Sequence, residues 1–144
     1  MIYLDTSVVF SVQGRDLNTP AAVSLLQSAS GQLVLTPLCE VEFVNALSLR
    51  ICRKEITHAQ AKASAGDLER NLRAGVYLLL PFPEAAFTRA KILAETLTPT
   101  TGVRSADLLH IAAAIETGVK SFYTFDTRQH AAARAAGLAV NSLA

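Results

Sequence analysis

Five short runs of apolar and β-branched residues, Ile2 to Leu4, Gln32 to Leu35, Val76 to Leu80, Ser121 to Phe125 and Leu138 to Val140, are separated by longer stretches with helical patterning. Strands spaced by helix-length segments are joined by crossovers, and crossovers of that size make parallel pairs with helices over both faces. The alternation therefore predicts an α/β fold, a three-layer α/β/α sandwich around a mostly parallel sheet of about five strands.

Cap chemistry marks the helix boundaries. Thr19-Pro20 and Thr36-Pro37 each offer an N-cap followed by Pro at the first helical position, Thr57 and Gln60 have capping-box spacing, and Gly118 and Gly137 mark helix ends. Helices are expected over Ser7 to Val12, Pro20 to Ser30, Pro37 to Lys54, His58 to Arg73, Glu84 to Leu97, Ala106 to Thr117 and Thr127 to Ala136. Thr98 to Arg104 is left as the longest loop. At 144 residues and 51% apolar content, the chain has enough core for a single domain over residues 1–144.

Thirteen Lys and Arg against 12 Asp and Glu leave a net charge of +1, so any RNA affinity has to come from a local patch. No apolar run approaches the roughly 20 residues of a membrane span, and the first residues read as strand rather than leader, so a cytoplasmic protein is expected. Cys39 and Cys52 lie about 20 Å apart on one predicted helix, too far for a disulfide, and are expected to be reduced core thiols.

The chemistry is concentrated in the acids. Ile2-Tyr3-Leu4-Asp5-Thr6 and Phe122-Tyr123-Thr124-Phe125-Asp126-Thr127 both read as buried strands stopped by Asp. Ligands of an open parallel sheet sit outside the carboxyl ends of its strands, so Asp5 and Asp126 could share one crevice. Each also suits a helix cap, but that explanation has to be invoked twice. Asp107 follows Ser105, the expected N-cap, and complements the helix dipole; Leu108, Leu109, Ile111, Ala112 and Ile115 give it a buried environment, where a carboxylate needs a partner. Glu40 and Glu42 lie about 200° apart on their helix. Both have apolar neighbours, Glu42 has Asn45 one turn on, and the wheel does not choose between them.

Carboxylates gathered in one crevice repel, and a hard divalent cation such as Mg²⁺ compensates them in an all-oxygen site lacking a Cys or His cluster. Such an ion can activate water for phosphoryl displacement. Thr6, Ser7, Asn45 and Thr124 are placed to hydrogen-bond the acids, and His110 reads as a core or supporting residue rather than a ligand. Among the basic residues, Arg104 and Arg128 each lie within three residues of a candidate acid and are the favoured RNA contacts. The small residues Ala59, Ala61, Ala63, Ala65 and Gly66 make a face for close helix packing or for a partner.

Asp5-Thr6-Ser7, Glu42-Phe43-Val44-Asn45-Ala46-Leu47, Asp107-Leu108-Leu109-His110 with its three following alanines, and Thr124-Phe125-Asp126 before an Ala-rich helix, in this order, closely resemble PIN-domain nucleases. Within them the chain looks most like the VapC-type toxins of toxin-antitoxin pairs. The resemblance covers nearly the whole chain and implies that Asp5, Glu42, Asp107 and Asp126 are catalytic metal-binding acids. It selects Glu42 over Glu40 through the Asn45-Ala46 that follows. It also implies Mg²⁺- or Mn²⁺-dependent RNA hydrolysis leaving a 5′ phosphate, a cognate antitoxin partner and a homodimer. Where many relatives carry another polar or acidic residue and an aromatic after the last acid, this chain has Thr127-Arg128-Gln129-His130. The rivals are a PIN-like module that binds metal and RNA without cleaving, and a phosphoacceptor signalling domain. The latter wants paired acids after the first strand, where Ser7 stands here.

Overall fold

The computed structural model describes residues 1–143. The chain runs β1 (Ile2–Leu4), α1 (Thr6–Phe10), α2 (Thr19–Gln27), β2 (Leu33–Leu35), α3 (Pro37–Cys52), α4 (His58–Arg73), β3 (Tyr77–Leu79), α5 (Ala85–Thr101), α6 (Ser105–Glu116), β4 (Ser121–Tyr123), α7 (Thr127–Ala135) and β5 (Ala139–Val140). A wider π-helical turn over Ser11–Arg15 continues α1.

The strands pair in the order β3-β2-β1-β4-β5, and every pair is parallel. Chain order reverses direction at β1, which has β2 on one side and β4 on the other. The crevice beyond the carboxyl ends of β1 and β4 is thus the topological switch point, where open sheets of this kind place their ligands. Tyr3 sits opposite Val34 and Phe122, and its ring stacks on that of Phe122 at 5.4 Å.

Alternation along β1 divides the core. Tyr3 joins Val34, Phe122 and the buried faces of α5, α6 and α7, including Leu93, Leu108, Ile111 and Ala132. Ile2 and Leu4 point to the other face, with Val8, Val9, Leu35, Phe43, Leu47 and Leu68 from α1, β2, α3 and α4. Both faces are covered, which makes the three layers. The parallel sheet and five strands agree with the sequence reading, and the Thr57 and Gln60 capping box and the positive φ of Gly118 and Gly137 lie where it put them.

Several local expectations are corrected. The segment Thr98 to Arg104 is not a loop at its start: α5 continues through Pro99 to Thr101 and ends at Gly102 in the left-handed region. Pro99 has no N–H for the Glu95 carbonyl, so the last turn gives up one intrahelical bond, and the Thr100 and Thr101 hydroxyls bond the Leu97 carbonyl there. The N-cap of α6 is Arg104, not Ser105, and that of α2 is Asn18 rather than Thr19. Cys39 is a buried thiol, but Cys52 is exposed because α3 ends there. On α4, Ala61 and Ala65 pack into the chain's own core while Ala59 and Ala63 stay exposed.

Strand β4 stops at Tyr123 rather than Phe125. Beyond it Asn141 replaces a strand neighbour: its amide oxygen accepts from the Thr124 N–H at 2.8 Å and its amide nitrogen donates to the Thr124 carbonyl at 3.0 Å. This side-chain clamp satisfies the backbone while freeing Thr124 and Asp126 to turn toward the crevice.

Candidate metal centre

Asp5 leaves the end of β1 and is buried at 3% exposure. Its Oδ1 accepts from Ser7 Oγ at 2.6 Å and from the Val8 N–H at 3.2 Å, so it does cap α1. Its Oδ2 accepts from Thr124 Oγ1 at 2.7 Å. Burial pushes its carboxyl above the usual range, against the pull of the Ser7 hydroxyl, the His110 ring, Thr124 and Val8.

Asp126 stands exposed after β4 and caps α7, accepting from the Gln129 N–H at 2.8 Å through Oδ1. The two strand ends are stitched together. Ser7 Oγ accepts from the Phe125 N–H at 2.9 Å while donating to Asp5, and Thr124 Oγ1 accepts from the Asp126 N–H at 3.0 Å while donating to Asp5. Each Asp therefore caps its helix through Oδ1 and leaves Oδ2 outside the cap.

Asp107 lies in the first turn of α6, half-buried, with no hydrogen bond to its carboxylate among the described residues. Burial first, then the charges of Asp126 and Asp5, push its carboxyl up to about 6; His110 works against them and Glu42 with them. Glu42, on α3, accepts from Thr6 Oγ1 at 2.7 Å and from His110 Nε2, both through Oε1. Burial raises its carboxyl, but the His110 bond and charge and the Thr6 hydroxyl outweigh that and hold it below the usual range.

Asp5 and Asp126 stand beyond the carboxyl ends of β1 and β4, and the charges of both, with that of Glu42, act on Asp107. No three acidic, His or Cys side chains are already drawn into a ready ligand cluster among the described residues. The donors present are carboxylate oxygens with hydroxyl support and no thiolate, so they fit a hard ion such as Mg²⁺ or Mn²⁺.

The other sequence candidates divide. Thr6, Ser7 and Thr124 each bond an acid. Asn45 does not: it is exposed, and with Glu40 it lines a shallow depression beside Pro37, Val41, Val44 and Ser48. Arg104 and Arg128 are exposed, next to the acids in sequence, and neither forms an ion pair among the described residues. Pairwise sequence patterns missed Tyr3, Thr36, Gln129 and Asn141. Gln129 is fully buried, with its amide 3.1 Å from Thr124 Oγ1 and donating to the Asp107 carbonyl at 3.3 Å. A tyrosine in the middle of a central strand does carry one signal, since a buried phenol needs a hydrogen-bond partner.

A PIN domain family model matches residues 2–135. A search of curated proteins found no match. Among solved structures, the fold is similar to FitAcB from Neisseria gonorrhoeae (TM-score 0.68, 22% identity, 99% of this chain and 98% of that one). It is also similar to VapC20 of Mycobacterium tuberculosis, described as a sarcin-ricin loop cleaving toxin (0.65, 19%, 96% of each chain). A third is VapBC2 from Rickettsia felis bound to a promoter DNA fragment (0.65, 17%, 98% of each). These identities speak for the fold, while the family model spans almost the whole sequence: the chain belongs to the PIN domain family.

Proposed function

We propose that the protein is a metal-dependent endoribonuclease, the toxin of a toxin-antitoxin pair, with Asp5, Glu42, Asp107 and Asp126 holding Mg²⁺ or Mn²⁺. The observation that carries this is the placement of Asp5 and Asp126 after adjacent strands at the switch point, with the charges of Asp107 and Glu42 reaching the same crevice. Family membership supports the reading, as does the description of the similar VapC20 as a cleaving toxin. The complexes named FitAcB and VapBC2 support a cognate antitoxin as partner. A homodimer belongs to the same proposal.

A divalent ion held by Asp5, Glu42, Asp107 and Asp126 would supply a lowered water pKa and charge neutralisation for in-line displacement at phosphorus. The residues do the rest. Asp5, held by three donors, presents a fixed carboxylate in a dry setting, where its field is strongest. Asp107 and Asp126 line the opening, with Asp126 Oδ2 free of hydrogen bonds among the described residues. Arg104 and Arg128 draw the RNA phosphates toward these acids, and one such contact contributes to affinity without reading sequence.

The test is cleavage of total cellular RNA by purified protein in Mg²⁺, Mn²⁺ or EDTA, beside Asp5→Asn prepared identically. Discrete metal-dependent cuts carrying 5′ phosphates, lost in the variant, are expected. Equal behaviour of the two proteins, with metal binding intact, would favour a module that binds metal and RNA without cutting.

A further inference from the structure

Glu42 stands at the end of a line of buried polar groups that crosses the rim of the sheet. Thr36 Oγ1, just past β2, lies 3.0 Å from Tyr3 Oη, and Tyr3 Oη lies 2.8 Å from His110 Nδ1. His110 Nε2 bonds Glu42 Oε1, which Thr6 Oγ1 also reaches. Thr36 and Tyr3 are 0% exposed and His110 is 1% exposed, so water does not compete for these bonds. The line joins β2, β1, α6 and α3, elements from all three layers.

Proton bookkeeping fixes the sense of the last bond. An ionised carboxylate only accepts, so Nε2 carries the hydrogen. This holds for a neutral ring, where Tyr3 donates to Nδ1 and accepts from Thr36, and for a charged one, where both of those bonds reverse. Each atom along the line, from Thr36 Oγ1 to Glu42 Oε1, has a partner either way. The ring is also held sterically, with Tyr3 edge-on at 5.7 Å and Tyr3 in turn stacked on Phe122. Thr36 is the N-cap residue of α3, but its side chain makes no cap hydrogen bond and is given to Tyr3 instead.

We infer that His110 is a positioning residue for Glu42: backed by Tyr3 and Thr36, it pins Oε1 and leaves Oε2 as the oxygen offered to a divalent cation. Oε2 has no hydrogen bond among the described residues, whereas Oε1 has two. A glutamate has three rotatable bonds, and holding one oxygen removes ordering that the ion would otherwise have to impose. Partners that orient a ligating group in this way are worth about 10- to 100-fold in metal affinity. The inference rests on the reading of Glu42 as a metal ligand.

Mn²⁺ titration calorimetry of metal-free wild type, Glu42→Gln, His110→Ala, His110→Gln and Tyr3→Phe tests it, with thermal unfolding measured alongside. Affinity is expected to fall about 10-fold in Tyr3→Phe and about 100-fold in His110→Ala, with partial recovery in His110→Gln, whose amide can donate. Nitrogen-15 shifts of the wild-type His110 ring should report a protonated Nε2. A packing role alone would lower the unfolding temperature and leave the affinity of the folded protein unchanged. If His110→Ala does not fold, Tyr3→Phe, which removes a single oxygen, decides. Wild-type affinity in the folded variants would overturn the positioning role while leaving the nuclease reading intact. Wild-type affinity in Glu42→Gln would overturn the ligand and its support together. A wild type that binds no Mn²⁺ would overturn both the inference and the nuclease reading.

Discussion

Thr124→Val removes one hydroxyl from the point where the two strand ends meet, with almost no change of shape. Thr124 is 0% exposed, and its oxygen donates to Asp5 Oδ2 at 2.7 Å and accepts from the Asp126 N–H at 3.0 Å. A hydrogen bond to a buried ionised group contributes about 1.5–3 kcal/mol, and the neutral bond from Asp126 about 1 kcal/mol. The variant should therefore lose about 3 kcal/mol at pH 8 in EDTA. The sign of its pH dependence follows from Asp5, whose carboxyl lies above its unfolded value. Between those two values the native state binds more protons than the unfolded chain, so stability falls as pH rises through the window. The Thr124 hydroxyl holds that carboxyl down, and its removal widens the window upward. At a pH low enough to protonate Asp5 in both proteins, the deficit should shrink to about 1–2 kcal/mol. Urea unfolding at both pH values measures it. A deficit independent of pH, or one below about 0.5 kcal/mol at pH 8, would refute the assignment of an ionised Asp5 held by Thr124.

Three further outcomes are expected. The Asp107 carboxyl, pushed up to about 6, carries a proton that a cation has to displace, so Mn²⁺ binding should weaken below pH 6 and release protons there; heats of binding that do not depend on the buffer at pH 6 would contradict this. Arg104→Ala should weaken RNA binding across sequences and reduce the slope of log K against log salt by about 0.7, and an unchanged slope would remove Arg104 from the phosphate path. Gln129→Leu leaves the Asp107 carbonyl without its buried amide donor and should cost about 1–3 kcal/mol in thermal or urea unfolding, whereas a neutral result would mean the amide does not brace α6 against α7.

The sheet was legible because its signal is local. Each strand centre shows as a short apolar run; the structure keeps the first as read and trims the other four by one or two residues. Where β4 stops was not legible, because the clamp from Asn141 forms between segments 17 residues apart in the chain. Pro99 misled for a related reason: its helix-breaking cost is judged locally, but its helix is held by packing along α6 and by two threonine hydroxyls on the Leu97 carbonyl. Asp5 and Asp126 could be paired from sequence because parallel α/β topology dictates where strand ends meet. The groups that hold the acids could not be, since Tyr3 meets His110 across 107 residues and Thr124 meets Asp5 across 119. Thr6, Ser7 and Thr124 were accessible only because they adjoin an acid, and Asn45, chosen by the same proximity on its helix, faces the solvent instead.

Crystals of the protein soaked in Mn²⁺ and measured for anomalous scattering would locate the ion directly. A peak is expected beyond the carboxyl ends of β1 and β4, with oxygens of Asp5 and at least one of Glu42, Asp107 and Asp126 about 2.0–2.2 Å away or joined to it through a bound water. No peak at saturating Mn²⁺, or a peak held by other residues with these four acids empty, would contradict a metal-dependent nuclease built on them.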